Sequence, residues 1–215
     1  MKDLYIIGAG GFGREIAWLV ERINKQSPTW NVNGFIDDNA AIWGTEIDDY
    51  PVLGGCDVLR NIDHDIWVIC AVGSSKTRKK IIQGLGESTF IHFATVIDPS
   101  VQMSSRVEIG EGTMICAGNI ITVDVTIGKH NIINLDCTIG HDVVLGDYVT
   151  MYPSVNVSGC SMIGAETELG TGMQTIQGMK IGSQTIVGAG AVVIRDIPDR
   201  CVAVGAPARV IKRLD

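Results

Sequence analysis

Aromatic side chains are scarce in this 215-residue chain, at 6% of the composition, which excludes a core organised around large rings. Positive charge is also short: 17 Lys and Arg stand against 24 Asp and Glu, giving a formal net charge of −7 and a pI near 5.0. A surface that draws in nucleic acid or an anionic membrane needs the opposite field, so no nucleic-acid partner is expected. There is no CxxC pair, and no histidine stands at zinc-finger spacing from a cysteine. Cys56, Cys70, Cys116, Cys137, Cys160 and Cys201 therefore read as buried, reduced thiols rather than disulfides or metal ligands. No apolar run approaches the ~18 residues of a membrane span, and the opening MKDLYIIGAGG has too short an apolar run for a secretory leader. Neither membrane insertion nor export is expected, and the cytoplasm is the default location.

What the chain has in quantity is aliphatic residues and glycine. Apolar residues make up 46% and there are 26 glycines, the composition of tight repeated turns packed with branched side chains. An aliphatic column returns every six positions: Ile91, Ile97, Met103, Ile109, Ile115, Ile121, Ile127, Ile133, Ile139, Leu145, Met151, Val157, Ile163, Leu169, then Ile181, Val187 and Val193, with Thr175 the one break. Glycine often follows the column residue, and a small or β-branched residue often stands four places on, as at Val125, Val143 and Val155. A helix carries a six-residue column all round its cylinder, and simple strand alternation does not demand that period. A three-sided coil does: each hexapeptide makes one short strand and one corner, three close a turn, and residues eighteen apart stack. Residues 91–198 are expected to form six such coils, followed by a tail over 199–215.

Residues 1–90 follow other rules. KDLYIIGAGGFGREIAWLVERIN reads as a buried strand, a glycine turn and an amphipathic helix with Ile16, Leu19, Val20 and Ile23 on one face. VNGFIDDN, YPVLGG and IWVICAVGSSKTRKKIIQGL continue the pattern, so an α/β Rossmann-like βαβ domain precedes the coil. Gly8, Gly10 and Gly13 satisfy GxGxxG, and Asp37 and Asp38 follow where an acidic residue meets a ribose hydroxyl. The segment holds about half of a doubly wound dinucleotide fold, which favours a nucleotide or nucleotide-sugar over NAD; a purely structural glycine turn is the remaining reading.

Four histidines are candidates for chemistry. His64 lies in the polar stretch NIDHD and reads as a solvated loop residue; His92 falls at the junction of the two domains, where a structural hydrogen bond is expected. In the hexapeptide frame the inward places are the column residue and the one four later. His130 and His141 occupy neither, so both imidazoles should project outward. Asp142 beside His141 offers the partner that a general base needs. Gly159, eighteen residues on, should lie one coil beyond the imidazole with an exposed N–H available to a tetrahedral oxyanion. No histidine pair recurs at eighteen-residue spacing, so no metal is expected. An exposed cysteine nucleophile is the mechanistic rival: Cys137 and Cys160 flank the site, although Cys137 falls at an inward place.

IIGAGGFGREIA, GFIDDN, AVGSSKTRKKI, IINLDCTIGHDVVLGDYV, IVGAGAVVIRDIP and VAVGAPARVIK together resemble the bacterial sugar acetyltransferases of the left-handed β-helix class, specifically the sialic acid O-acetyltransferase and UDP-4-amino-sugar N-acetyltransferase family. The resemblance spans essentially the whole chain. It implies a left-handed coil and a homotrimer with acetyl-CoA between neighbouring coils. It also implies direct transfer of acetyl to the amino group of a nucleotide-linked sugar, with His141 as base, Asp142 raising its basicity and Asn134 near the acceptor. Thr150, Gly159, Thr171 and Ala189 match coenzyme-contact positions, and Gly10, Gly11, Phe12, Asp37, Asp38 and Gly73 match the nucleotide-sugar site. An O-acetyltransferase acting on a free sialic acid hydroxyl keeps the same fold with another acceptor. A non-catalytic, nucleotide-sensing trimeric scaffold is the alternative from outside enzymology, disfavoured by an outward His141 and Asp142.

Overall fold

The computed structural model describes residues 1–86 and 88–215. The chain begins with β1 (Lys2–Ile7), whose last four residues are buried, as befits a strand covered on both faces. α1 (Gly11–Gln26) follows and buries Ile16, Ala17, Leu19 and Val20, the stripe its periodicity predicts. β2 (Trp30–Ile36), β3 (Glu46–Ile47), β4 (Tyr50–Gly54), α2 (Asp57–Arg60), β5 (Ile66–Cys70), α3 (Ser75–Gly84) and β6 (Ile91–Phe93) complete the first region. Its six-stranded sheet runs β3-β4-β2-β1-β5-β6, parallel except for the β3–β4 pair. Gly13 is required by close packing: a Cβ there would stand 1.8 Å from the Gly8 carbonyl oxygen, so only glycine lets α1 approach the end of β1.

From residue 96 the chain winds into a triangular, left-handed parallel β-helix. Two-residue strands stack on three faces. The first face runs from Val96–Ile97 to Ile186–Val187, the second from Gln102–Met103 to Val192–Val193, and the third from Glu108–Ile109 to Lys180–Ile181. Parallel pairs join residues eighteen apart, such as Ile115 with Ile133 and Ile121 with Ile139. The column fills the interior, with Ile115, Ile133, Ile139, Leu145, Met151 and Leu169 all at most 1% exposed. Met103, in the first turn, is 44% exposed because that end of the column is open. Thr175 is buried too, and its polar break is satisfied where Oγ1 accepts the Ser158 N–H at 2.9 Å.

Two expected boundaries move. Ile91 is in phase with the column but belongs to β6, which pairs with β5, so the coil begins at Val96 rather than at 91. Residues 199–215 are not a loose tail. Cys201–Val204 adds another parallel strand to the first face, and Arg209–Arg213 pairs antiparallel with it, closing that edge of the sheet.

The two regions are tied along the first face and the corners that flank it. Val96, Met114 and Ile132 pack into the core of the first region. Arg22 Nε and Nη2 donate to both oxygens of Asp98 at 2.6 and 3.0 Å. The Ser75 N–H donates to Glu168 Oε1 at 2.9 Å, and Lys79 Nζ meets Glu166 at 2.6 Å. At the centre lies Arg78, fully buried. Its guanidinium donates to the carbonyls of His130 (2.8 Å), Val72 (2.7 Å), Gly73 (3.1 Å), Tyr148 (2.9 Å) and Val149 (3.3 Å), and to Thr150 Oγ1 (3.0 Å). Burial lowers its pKa to about 10, so it stays charged at neutral pH.

Candidate active site

Most coil corners place one non-inward residue in the left-handed backbone region, and Asp124, His130, Asp136, Asp142, Tyr148, Ser154, Cys160, Glu166 and Gln184 fill such places with φ between 55° and 61°. These corners are held by the ladder: Asp142 N donates to Val123 O at 3.1 Å and Cys160 N to His141 O at 2.8 Å. Side chains leave the prism there from a rigid backbone, which makes a corner a suitable mount for reactive groups.

His141 and Asp142 sit on the corner joining the second and third faces. His141 Nδ1 lies 2.7 Å from Asp142 Oδ2, and both side chains are about half exposed, at 49% and 59%. With Nδ1–H donated to the carboxylate, Nε2 carries the lone pair and accepts a proton from solvent-side chemistry. Gly159 stacks against the imidazole, as the eighteen-residue rule demands, and little of the residue reaches solvent in the single chain. A Cβ there would lie 2.6 Å from Nε2 and 2.7 Å from Cε1, so glycine at this place makes room for the ring. The Gly159 N–H donates to no group among the described residues.

His130 leaves its corner outward, as expected, yet the first region covers it: it is 4% exposed, edge-on to Phe93 at 4.7 Å and stacked on Tyr148 at 5.0 Å. Burial pushes its pKa down to about 4, leaving a neutral packing residue. His92 lies tilted against Trp67 at 5.0 Å and meets Asp65 at 2.9 Å, a structural role, while His64 stays on the surface. Cys70, Cys116 and Cys137 are buried, and burial raises each to about 12, which silences them as nucleophiles. Cys160 departs from the expectation for the cysteines, being exposed on the His141 corner. Its Sγ lies 3.9 Å from Nδ1, the nitrogen that Asp142 already occupies, so His141 is poorly aimed to activate it.

Asn134, Thr171 and Ala189 lie on another corner, between the first and second faces. The Asn134 side-chain oxygen accepts the Leu135 N–H at 2.8 Å; Thr171 and Ala189 are exposed one turn apart. Within one chain, then, Asn134 does not join His141. Thr150 is corrected most clearly: it is 1% exposed, and its hydroxyl donates to Gly73 O at 2.7 Å while accepting from Arg78, so it serves the junction and has no free hydroxyl for a coenzyme.

At the carboxyl ends of β1, β2 and β5 a cavity of 160 Å³ is lined by Gly8, Asp37, Asp38, Cys56 and Val72 among others. It lies where the strand order reverses about β1, the usual ligand crevice of an open parallel sheet. Asp37 accepts the N–H groups of Ala9 and Asn39, both at 2.9 Å, and so shapes the turn, whereas Asp38 is exposed. Gly10 and Gly11 are exposed at the start of α1, Phe12 packs partly into the core behind them, and Gly73 stands over the Tyr152 hydroxyl. Arg78 and Tyr152 carried no signal in the sequence, because the coil partners of Arg78 lie 52–72 residues away and Glu168, the partner of Tyr152, lies 16 away.

Comparison with known proteins follows the same division. Residues 3–85 match the family described as PglD N-terminal domain. Over 98% of the chain and 97% of the relative, the sequence is 29% identical to GDP-perosamine N-acetyltransferase of Escherichia coli O157:H7. The fold is similar to the acetyltransferase domain of PglB from Neisseria gonorrhoeae FA1090 in complex with acetyl coenzyme A, with TM-score 0.88, 28% identity, and 98% and 99% of the two chains covered. It is likewise similar to a histidine-to-asparagine mutant of perosamine N-acetyltransferase from Caulobacter crescentus in complex with CoA and GDP-perosamine, with TM-score 0.85, 30% identity, and 98% and 97% covered. Among the described residues no helix is long and apolar enough to cross a membrane.

Proposed function

Because the chain belongs to the left-handed β-helix sugar acetyltransferases, the family of the sialic acid O-acetyltransferases and UDP-4-amino-sugar N-acetyltransferases, we propose that this acyltransferase moves acetyl from acetyl-CoA to the amine of a nucleoside-diphosphate-linked sugar. The observation that carries the reading is the His141–Asp142 pair, 2.7 Å apart on an outward, rigid corner with Nε2 unengaged by the carboxylate. Asp142 fixes the tautomer and stabilises the imidazolium that forms as Nε2 takes the amine proton. The amine nitrogen attacks the thioester carbonyl, the Gly159 N–H receives the oxyanion, and collapse expels the CoA thiolate, which is reprotonated. No enzyme-bound acyl group is formed. The cavity bounded by Gly8, Asp37 and Asp38, with Gly10, Gly11, Phe12 and Gly73 around it, holds the nucleotide end of the acceptor.

The working unit is a homotrimer. His141 and Gly159 occupy one corner, Asn134, Thr171 and Ala189 another, and the second face separates them, so a neighbouring copy is needed to bring the two sets onto one substrate pair. Large apolar side chains left exposed beside the His141 corner, Ile120 on the second face, Val144 and Met162 on the third and Ile176 on the same edge two turns on, support a contact between coils there. Soluble, cytoplasmic placement accords with nucleotide-sugar and acetyl-CoA as substrates.

The test is acetyl-CoA turnover against GDP-, UDP- and dTDP-linked amino sugars, read as released thiol. One amino sugar should be acetylated on nitrogen, and His141→Ala should lose at least about 100-fold in kcat. Unchanged turnover in His141→Ala removes the base assignment; transfer to free sialic acid alone removes the nucleotide-sugar.

A further inference from the structure

The His141 corner holds a third donor that the reaction does not use. Cys160 stands one coil beyond Asp142, and the two share the same left-handed corner conformation, with φ 58° at each. His141 Nδ1, a carboxylate oxygen of Asp142 and Cys160 Sγ all lie within 4.8 Å of one another. The individual separations are 2.7 Å from Nδ1 to Oδ2 and 3.9 Å from Nδ1 to Sγ. A tetrahedral zinc ion holds such donors at about 2.0–2.3 Å, so its donor atoms stand roughly 3.3–3.7 Å apart. Small side-chain rotations bridge that difference, and the backbone beneath is already fixed by the ladder bond from Cys160 N to His141 O at 2.8 Å. One nitrogen, one carboxylate and one sulfur form a donor set that suits zinc and its close relatives over magnesium or calcium. All three residues are exposed in the single chain, on the corner that the substrates themselves must reach.

We propose that His141, Asp142 and Cys160 form a reversible inhibitory site for a zinc-class divalent cation, distinct from a resident cofactor. Its chemistry follows from the tautomer. The ion takes the Nδ1 lone pair, the Cys160 thiol loses its proton to solvent, and the single proton of the neutral imidazole resides on Nε2. His141 then presents an N–H to the amine where the reaction needs a lone pair, and the base is lost while the fold is untouched. The inhibitory consequence rests on His141 being the base; the binding does not.

The experiment is a cobalt titration of the metal-free protein, followed by zinc inhibition of acetyl transfer. A thiolate-to-cobalt charge-transfer band should rise to one ion per chain, fall when zinc is added, and be absent in both Cys160→Ser and His141→Ala. In the turnover assay, zinc should inhibit the unmodified protein and EDTA should restore it. Cys160→Ser should match its metal-free rate yet need over about 100-fold more zinc for half inhibition. No thiolate band, or equal zinc sensitivity in Cys160→Ser, overturns the site. Because the spectrum needs no substrate, failure of every sugar to be acetylated would refute the proposed function and leave the cobalt result to judge the metal site by itself.

Discussion

The sheet region and the coil solve the same packing problem with different ranges of information. In the coil, from Val96 to Val193, each strand meets the strand eighteen residues away, so one six-residue rule places core, corner and exposed side chain alike. In the sheet region, β1 sits between β2 and β5 by a crossover, and Gly13 is needed because α1 approaches Gly8 across the turn. The coil is modular and tolerates exposed reactive corners; the sheet depends on particular close approaches. The proposed function is divided accordingly, with the proposed nucleotide cavity in the sheet and the proposed base on the coil. Geometry between them is set by a junction built largely from one buried arginine and the ion pairs around it.

Breaking that junction should have the largest effect. Arg78→Met leaves the carbonyls of His130, Val72 and Tyr148 without their donor, each costing about 1–3 kcal/mol, for a total loss of at least about 3 kcal/mol. Calorimetry should then resolve two transitions, the coil melting later than the sheet region; a single unshifted transition would show that the regions are coupled elsewhere.

Acid should probe the same junction from the coil side. His130 is held near pKa 4 in the folded chain against about 6.5 when unfolded, so between those values the unfolded state binds the extra proton. The contribution of His130 is fully present above pH 6.5 and is lost as pH falls to 4, by about 3 kcal/mol. Lys129, Glu111, Arg78 and Asp147 act on the ring as well, so the measurement is the difference between the unmodified chain and His130→Asn. Asparagine tolerates the left-handed corner. Urea unfolding at pH 7 and pH 4 should show a smaller acid loss in the variant, and equal losses would reject the assignment.

A purely local change on the coil should leave the fold alone. In Gly159→Ala the new methyl displaces the imidazole rather than backbone, because the colliding atoms are Nε2 and Cε1 of His141. Turnover should fall about 100-fold while the melting temperature stays close to that of the unmodified chain. A coupled drop in both would place Gly159 among the residues the ladder requires.

The three-sided coil was legible because its repeat is enforced at every turn, and even Thr175, which breaks the column, keeps its inward place. Ile91 misled for the same reason, matching the phase by coincidence while its true partner lies in β5. His130 and His141 looked alike in the hexapeptide frame; docking of the first region buries one and leaves the other free. Thr150 fell at a plausible coenzyme position until Gly73 and Arg78 took its hydroxyl.

Sequence by itself determined the period, and with it the coil, the inward column and the stacking of Gly159 on His141, because those depend only on residues a fixed step apart. Tertiary structure alone decided which histidine stays wet and which threonine is spent at the junction. Those outcomes depend on where one region lies against another, and no short-range spacing encodes that distance.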